Sequence, residues 1–425
     1  MRSPIPAYLE EVLNDTVDGG EVASYIPELA RANPDRLSAA LCMADGTIYG
    51  AGEVETRFSI QSISKPFVYA LALQENGVQA VMERIGVEPS GETFNSASLD
   101  PKTQRPDNPM VNIGAIATHA LVMPDGTCAE RSEAVRRGLS AFAGRQLQID
   151  QAVYSSEIST AFRNHSLAYL VRSVDGFEQD PREIVEGYTR QCSLLVDVRD
   201  LAVMAMTLAN SGVNPVTKER VVHADVAQQV LSVLTTCGMY DATGDWMTQV
   251  GIPAKSGVGG GVIGALPGQV GAAVFSPRLD DVGNSVRGVQ AFERFSKDMG
   301  MHLLKAPPLS KDVVRTATMR STALGPVHAV ELQGPLRFSS AERVMRRLEQ
   351  VPHDNYGVAL DLTRVSSADE VSRRMLLEAM RSLRNEGHRI YLVDPKGSVP
   401  DRDLGDGSLP LQAASLDTLD TPRNH

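Results

Sequence analysis

Residues 58–66 read FSIQSISKP, and this stretch decides the fold predicted for the first part of the chain. Ser62 and Lys65 lie three positions apart within it, and residues at that spacing share one face of a helix. Pro66 has no N–H and fits the first turn of a helix, where that donor lacks a partner anyway. The stretch therefore predicts a helix that starts near Ser62, with a hydroxyl and an amine side by side.

The pairing of Ser62 with Lys65 is typical of a nucleophile and its base. A serine hydroxyl is a poor nucleophile until a neighbouring base takes its proton. A lysine can be that base when burial or a nearby cation lowers its pKa. Because Ser-x-x-Lys also arises by chance, and Ser64 could be a plain helix cap or a surface hydroxyl, the pattern alone leaves the role open.

A second motif, KSGVGGG at residues 255–261, supports the same chemistry. Lys-Ser-Gly resembles an element of penicillin-recognising serine enzymes, which lies on a strand that lines the site. Here it precedes two predicted strands, 258–266 and 269–276, joined at the turn dipeptide Pro267-Gly268. The glycines let a substrate approach backbone N–H groups that could stabilise an oxyanion. A phosphate-binding loop fits less well, since no G-x-x-x-x-G-K-[ST] is present, and a simple glycine-rich hairpin stays open.

Apolar periodicity predicts three long helices in this region, at 64–84, 197–211 and 287–304. Residues 306–325 are rich in Pro, Ser and Thr and predict a linker between domains.

Beyond the linker the pattern changes to alternating strands and helices, which predicts a small α/β domain over 326–398 with at least partly parallel strands. The polar residues 399–425 predict a disordered tail. The predicted elements are strand Val327–Leu332, a helix opened by the capping-box spacing Ser339 to Glu342 and ending near Gln350, strand Tyr356–Leu362, helix Ala368–Asn385 and strand Ile390–Val393.

Composition excludes several classes of protein. A length of 425 residues predicts two or three domains, and a net charge of -11 disfavours a nucleic-acid partner. The four cysteines and eight histidines show no metal-ligand spacing, so no metal is expected. No signal-peptide or membrane-spanning apolar run is found, which predicts no membrane association and a cytoplasmic location.

The two motifs belong to a longer ordered series, and on that series residues 1–305 resemble the glutaminase family of the β-lactamase-like superfamily. The matching stretches are Tyr25–Ala30, Gln61–Lys65, Asn108–Ile116, Ser156-Glu157 with Asn164, Tyr188–Ser193, Gly238–Asp241 and Lys255–Gly261.

The resemblance implies a fold, an activity and partners. The fold is a β-lactamase- or penicillin-binding-like domain, with an antiparallel sheet and a cluster of helices. The activity is hydrolysis of L-glutamine to L-glutamate and ammonia without a cofactor, by a homo-oligomer, either dimer or tetramer. Ser62 is implied as nucleophile, Lys65 as base, the backbone N–H groups of Ser62 and Val258 as the oxyanion hole, and Tyr240 as a proton relay to ammonia.

The resemblance also implies a substrate shell of Tyr25, Gln61, Ser62, Asn112, Glu157, Asn164, Tyr188, Tyr240 and Val258. Their chemistry suits a zwitterion with a carboxamide tail, since a carboxylate can bind its ammonium while Asn and Tyr donate to its carboxylate. Each position also has an ordinary structural alternative. Tyr25 and Tyr188 could be packed aromatics, Asn112 a turn residue and Glu157 a solvated charge at a helix start.

Residues 325–398 resemble a STAS domain, the fold of anti-sigma-factor antagonists, through Asp361–Val365 followed by Asp369. Regulatory members often carry a phosphorylated serine after that aspartate. Glu370 occupies this position here, so its carboxylate either mimics part of a phosphate or marks a vestigial site. The resemblance implies a regulatory partner or ligand.

Two rival functions share some of these features. A penicillin-binding or β-lactam-hydrolysing enzyme would share Ser62, Lys65 and Lys255–Gly257, but it acts outside the cytoplasm and does not need the zwitterion shell. A non-enzymatic partner-binding protein would work through the second domain and would not need the nucleophile and base.

Overall fold

The computed structural model describes residues 3–24, 26–90, 96–305, 313–323, 325–351 and 356–419. The chain forms two compact units, residues 1–305 and residues 306–425, and each is described by itself. Among the described helices, none is long and apolar enough to cross a membrane.

The strands of the first unit form one main sheet and two small ones. The main sheet has the order β3-β2-β9-β8-β7 and is antiparallel at every step; β4-β6-β5 and β1-β10 form the small sheets. The strands are β1 (Glu21–Val22), β2 (Ser38–Met43), β3 (Ile48–Gly52), β4 (Phe58–Ser59), β5 (Gln148–Ile149), β6 (Leu194–Val196), β7 (Ala254–Gly257), β8 (Gly261–Leu266), β9 (Val270–Phe275) and β10 (Arg278–Leu279).

The helices of the first unit flank the main sheet or form a cluster beside it. They are α1 (Ile5–Asn14), α2 (Lys65–Asn76), α3 (Val78–Met82), α4 (Asn112–Ala120), α5 (Cys128–Ala143), α6 (Gln151–Ser159), α7 (Phe162–Ser173), α8 (Pro181–Cys192), α9 (Val198–Ala209), α10 (Ala224–Cys237), α11 (Thr243–Gln249) and α12 (Val286–Met299).

The main sheet is buried on both faces, because α9 covers one face and α1 and α12 cover the other. Along β2, Ala40 and Cys42 join the core that contains α9, while Ala39 and Leu41 join the core of α1 and α12. Gly271 lets α9 approach closely, since a Cβ there would come within 2.2 Å of Met206 N. The antiparallel sheet with a helical cluster predicted for this unit is confirmed.

Two predicted helices are confirmed with changed bounds, and one is divided. The helix predicted at 197–211 is α9, and the helix predicted at 287–304 is α12, which ends before Gly300. The helix predicted at 64–84 was wrong as a single element, because Gly77 has a φ of 82° and separates α2 from α3. A left-handed residue of this kind ends a helix readily when it is glycine.

The strand predicted at 258–266 begins at Gly261 as β8, because residues 258–260 form a turn. The Lys-Ser-Gly motif lies on its own strand, β7, which pairs antiparallel with β8.

The second unit is an α/β domain around one mixed sheet of order β11-β12-β13-β14-β15. β11 pairs antiparallel with β12, and the later pairs are parallel, as predicted. Its elements are β11 (Val314–Thr322), β12 (Gly325–Leu336), α13 (Phe338–Leu348), β13 (Gly357–Ala368), α14 (Glu370–Asn385), β14 (Arg389–Val393) and β15 (Leu411–Gln412).

Two polar segments outside the predicted domain are structured, which corrects the linker and tail predictions. Within the predicted linker 306–325, residues 306–312 lie outside the described residues, but Val314–Thr322 is strand β11. Its Val and Thr residues favour strands, and at the sheet edge only one side must be apolar. Within the predicted tail 399–425, residues 420–425 are not described, but Leu416 and Leu419 are buried against the sheet.

Candidate active site

Ser62 lies in a tight turn between β4 and α2. Residues Gln61–Ser64 form a 3₁₀ turn that leads directly into α2, and only 8% of Ser62 is exposed. Gln61 has a φ of 50°, in the left-handed region that side chains other than glycine rarely adopt. Strained backbone of this kind persists where the surroundings hold it, and it is common at functional sites.

Lys65 is fully buried one turn along from Ser62. Its Nζ donates to Met110 O at 3.0 Å and to Asn112 Oδ1 at 2.7 Å, so neither bond goes to Ser62. Burial lowers the pKa of Lys65 to about 8, against the opposing effects of Cys192 and Glu157. The amine is therefore partly unprotonated near neutral pH, as a base must be.

Glu157 extends from α6 into the same interior, and 9% of it is exposed. Gln61 Nε2 donates to Glu157 Oε2 at 3.2 Å and to Ser59 Oγ at 3.2 Å. Burial raises the pKa of Glu157 to about 7, although the bond from Gln61 and the charge of Lys65 oppose the rise. None of the salt bridges among the described residues uses Glu157.

The remaining shell residues come from three further helices. Asn112 opens α4, and its Nδ2 lies 3.5 Å from Asn164 Oδ1 on α7. Tyr188 on α8 is buried, and its hydroxyl interacts with the thiol of Cys192 one turn later. The structure thus brings Asn112 and Asn164 together beside Lys65. Tyr25 lies outside the described residues.

Tyr240 and Lys255 form the opposite wall. Tyr240, with a φ of 53°, donates from its hydroxyl to Ser256 O at 3.2 Å. Lys255 Nζ donates to the same carbonyl at 2.8 Å and lies 4.2 Å from the centre of the Tyr240 ring. Burial and the charge of Lys65 hold the pKa of Lys255 well below its usual value. Burial raises the pKa of Tyr240, against a hydrogen bond with Ser62. The tyrosine is therefore a neutral phenol that contacts Ser62.

The turn after β7 lies against the backbone that precedes Ser62. A Cβ on Gly257 would come within 3.2 Å of Ile60 O, and one on Gly259 within 2.8 Å of Ser59 O. Val258, between these two glycines, is therefore held next to the Ser62 turn. Because a strand and not a helix follows the glycines, the alternative of a phosphate-binding loop does not fit.

Sequence reasoning missed a set of buried polar groups behind the turn. Ser64, Gln191 and His119 are at most 2% exposed and are linked by hydrogen bonds that end on Gln61 O. The available signal was a histidine within the apolar helix NIGAIATHA of α4, since a buried polar side chain on an apolar face needs a partner.

A cavity of about 610 Å³ adjoins this wall. Its lining includes Tyr240, Asn108, Met110 and Val111, and Met110 is also the residue whose carbonyl accepts from the Lys65 amine. Across the described ranges, no group of three His, Cys, Asp or Glu side chains is placed to hold a metal ion.

Comparison with known proteins matches both units. A family model described as Glutaminase matches residues 20–304, and one described as STAS domain matches residues 320–416. A glutaminase of Corynebacterium efficiens is 46% identical over 411 residues, covering 96% of each chain. A glutaminase of Trichormus variabilis is 46% identical over 306 residues, covering 71% of this chain and 91% of that protein. A crystal structure of Mglu in its glutamate form is 42% identical, with a TM-score of 0.86, and covers 93% of this chain and 100% of that one.

Proposed function

Because this chain belongs to the glutaminase family, we propose that it hydrolyses the side-chain amide of L-glutamine through an acyl-enzyme on Ser62, with Lys65 as the base. The observation that carries the proposal is the buried Lys65 amine, whose pKa falls to about 8 within one helical turn of the serine. A lysine without a lowered pKa would stay protonated and could not accept the serine proton.

In the first step the neutral Lys65 amine takes the Ser62 proton, and Oγ bonds to the amide carbon of the substrate. The electron pair of the carbonyl moves onto its oxygen. Backbone N–H groups of Ser62 and Val258 stabilise that oxyanion, a contribution typically worth a 10²–10³-fold rate increase for one donor. The close approach of the Gly257–Gly259 turn to the Ser62 turn supports this pairing.

In the second step the carbon–nitrogen bond breaks, and the departing nitrogen receives the proton from Lys65 through Tyr240. Tyr240 suits this relay because its phenol is neutral and contacts Ser62. Water then attacks the acyl-enzyme, gives up a proton to Lys65 and releases L-glutamate, so that Ser62 regains its hydrogen.

The substrate is recognised by charge at one end and by neutral donors at the other. Glu157 binds the α-ammonium, since it is a buried carboxylate outside every described salt bridge. Amide and phenol donors receive the α-carboxylate and the side-chain amide. They are Tyr25, Gln61, Asn112, Asn164 and Tyr188. The related Mglu structure in its glutamate form supports a product complex of this kind.

Replacing Ser62 tests the proposal. Ser62→Ala is expected to lower ammonia release from glutamine by at least about 10⁴-fold with an unchanged melting temperature, as loss of a nucleophile does in serine hydrolases. Ser193→Ala is the control, since it removes another buried serine hydroxyl, one that donates to Thr189 O. Asparagine tests the length of the amide side chain. Activity of Ser62→Ala above a few per cent of wild type would exclude the serine mechanism.

A further inference from the structure

Three buried side chains form a continuous hydrogen-bonded row behind the Ser62 turn, and the proposed chemistry uses none of them. Ser64 Oγ donates to Gln61 O at 2.7 Å, Gln191 Nε2 donates to Ser64 Oγ at 3.0 Å, and His119 Nδ1 lies 2.9 Å from Gln191 Oε1. The row runs from α4 through α8 to the turn, so it joins three segments that are distant in sequence.

The direction of every bond in the row is determined by its last acceptor. Gln61 O can only accept a hydrogen bond, so Ser64 donates its single hydroxyl hydrogen to it. Ser64 Oγ must therefore accept the bond from Gln191. The Gln191 amide therefore turns its nitrogen to Ser64 and its oxygen to His119, and His119 donates from Nδ1.

The state of His119 agrees with this direction. Its Nε2 is buried and has no hydrogen-bond partner, so a proton there would be unsatisfied. Burial lowers the pKa of His119 to about 4, with the bond to Gln191 opposing the fall. A Cβ on Gly187 would lie 2.2 Å from Nε2, so α8 packs directly against that edge of the ring. The histidine is thus a neutral donor that points along the row.

The final acceptor matters because Gln61 O belongs to the peptide group whose N–H is that of Ser62. A hydrogen bond received by a peptide carbonyl polarises the group and strengthens the donor at its nitrogen. Gln61 also holds the strained φ of 50°, so the turn needs an external support to keep that N–H in place.

We propose that His119, Gln191 and Ser64 are positioning residues that orient and polarise the Gln61–Ser62 peptide for oxyanion binding. The inference rests on the proposed role of the Ser62 N–H. A serine that bonds the carbonyl three residues earlier is common for purely local reasons, and a local bond of that kind would affect stability alone.

Comparing Ser64→Ala with Ser193→Ala separates these two roles. Both variants remove a buried serine hydroxyl that donates to a backbone carbonyl, at 2.7 Å for Ser64 and at 2.8 Å for Ser193. Only the carbonyl that accepts from Ser64 belongs to the Gln61–Ser62 peptide group. We expect kcat to fall about tenfold in Ser64→Ala, the size of one hydrogen bond, and to stay within about twofold of wild type in Ser193→Ala. The glutamate dissociation constant, measured by calorimetry, should be unchanged in both.

Equal kcat losses in the two variants would overturn the proposal, as would a weakening of glutamate binding that matches the loss of kcat in Ser64→Ala. Ser64→Cys keeps a weak donor and should give a kcat between those of Ser64→Ala and wild type. If Ser64→Ala does not fold, Ser64→Cys takes its place in the comparison with Ser193→Ala. Ser62→Ala tells the two failures apart. If that variant is inactive while Ser64→Ala and Ser193→Ala behave alike, the serine mechanism stands and only the positioning row is wrong.

Discussion

The two units each enclose a five-stranded sheet, yet they bury different kinds of side chain. The described part of the first unit buries eight His or charged side chains, which are Lys65, Lys255, Glu157, His119, Arg131, Asp197, Asp200 and Arg287. In the described part of the second unit, the buried ionisable side chains are His388 and Asp394. Ionisable groups are costly to bury, so their concentration in the first unit agrees with the catalytic role proposed for it.

Surface charge separates the units in a different way. Of the 41 Lys and Arg residues, 16 lie in residues 306–425, and of the 52 Asp and Glu residues 16 lie there as well. The second unit is therefore neutral, and the net charge of -11 belongs to residues 1–305. Buried charge is thus concentrated in the proposed catalytic unit, whereas net charge describes only what the surface repels or attracts.

Removing the charge of Glu157 should give the largest loss of activity among the variants that test this difference between the two units. Glu157→Gln is expected to lower kcat/KM for glutamine about 100-fold, because it removes a desolvated partner of the α-ammonium. Glu157, with its pKa raised to about 7, and Lys65, with its pKa lowered to about 8, both reach their active forms as pH rises. Wild-type kcat/KM should therefore rise through both values, and the variant should keep only the rise near 8.

The matched control for that variant is Glu55→Gln, at an exposed carboxylate. It should leave the pH profile of kcat/KM unchanged. If Glu157→Gln keeps a rise near pH 7, another group is responsible for it, and unchanged affinity for glutamate would contradict the binding role.

Lys255→Met should give a smaller loss. We expect kcat to fall about tenfold, because the variant removes the amine that lies under the Tyr240 ring and shares its acceptor, Ser256 O. The melting temperature should rise or stay level, since an apolar side chain of similar shape replaces a buried ionisable group that has no acidic partner among the described salt bridges. Steady-state kinetics test the expected fall in kcat, and thermal unfolding tests the expected change in melting temperature.

Lys297→Met, an exposed lysine on α12, is the control for that substitution. A kcat within twofold of wild type in Lys255→Met would show that Lys255 only fills space beneath the tyrosine.

Ending the chain at Lys305 should give the smallest effect on turnover. We propose that residues 306–425 regulate or localise the enzyme, because every proposed site residue lies before residue 261. The glutaminase of Trichormus variabilis aligns over 71% of this chain and 91% of its own length. We expect kcat within about twofold of the full chain. Size-exclusion chromatography and an ammonia assay on the chain that ends at Lys305 test this expectation. A truncated chain that is soluble but inactive would show that the second unit completes the site.

Sequence patterns predicted the local parts of this molecule well. The Ser-x-x-Lys spacing located the helix that follows Ser62, and apolar segments located strands β8 and β9 of the first unit and β12, β13 and β14 of the second. These features depend on residues a few positions apart, so periodicity reveals them.

The parts that sequence missed depend on contacts between distant segments. Gln61 has a left-handed φ without being glycine, and two bonds hold it: its carbonyl accepts from Ser64 in the same turn, and its side chain donates to Glu157 on α6. Lys255 lies beneath Tyr240 only after β7 has paired in the sheet. The sequence predicts a linker where β11 lies, because an edge strand needs few apolar residues.

The late position of the 411–419 segment has a consequence for synthesis. Leu416 and Leu419 cover the face of the second sheet that carries Val327, Ala329 and Tyr391. At about 5–20 residues per second, a ribosome needs roughly 5–20 s to extend the chain from residue 306 to residue 412. For those seconds a completed catalytic unit is followed by a growing sheet with one uncovered apolar face. Exposed apolar surface of this kind is what makes a partly synthesised chain prone to aggregate.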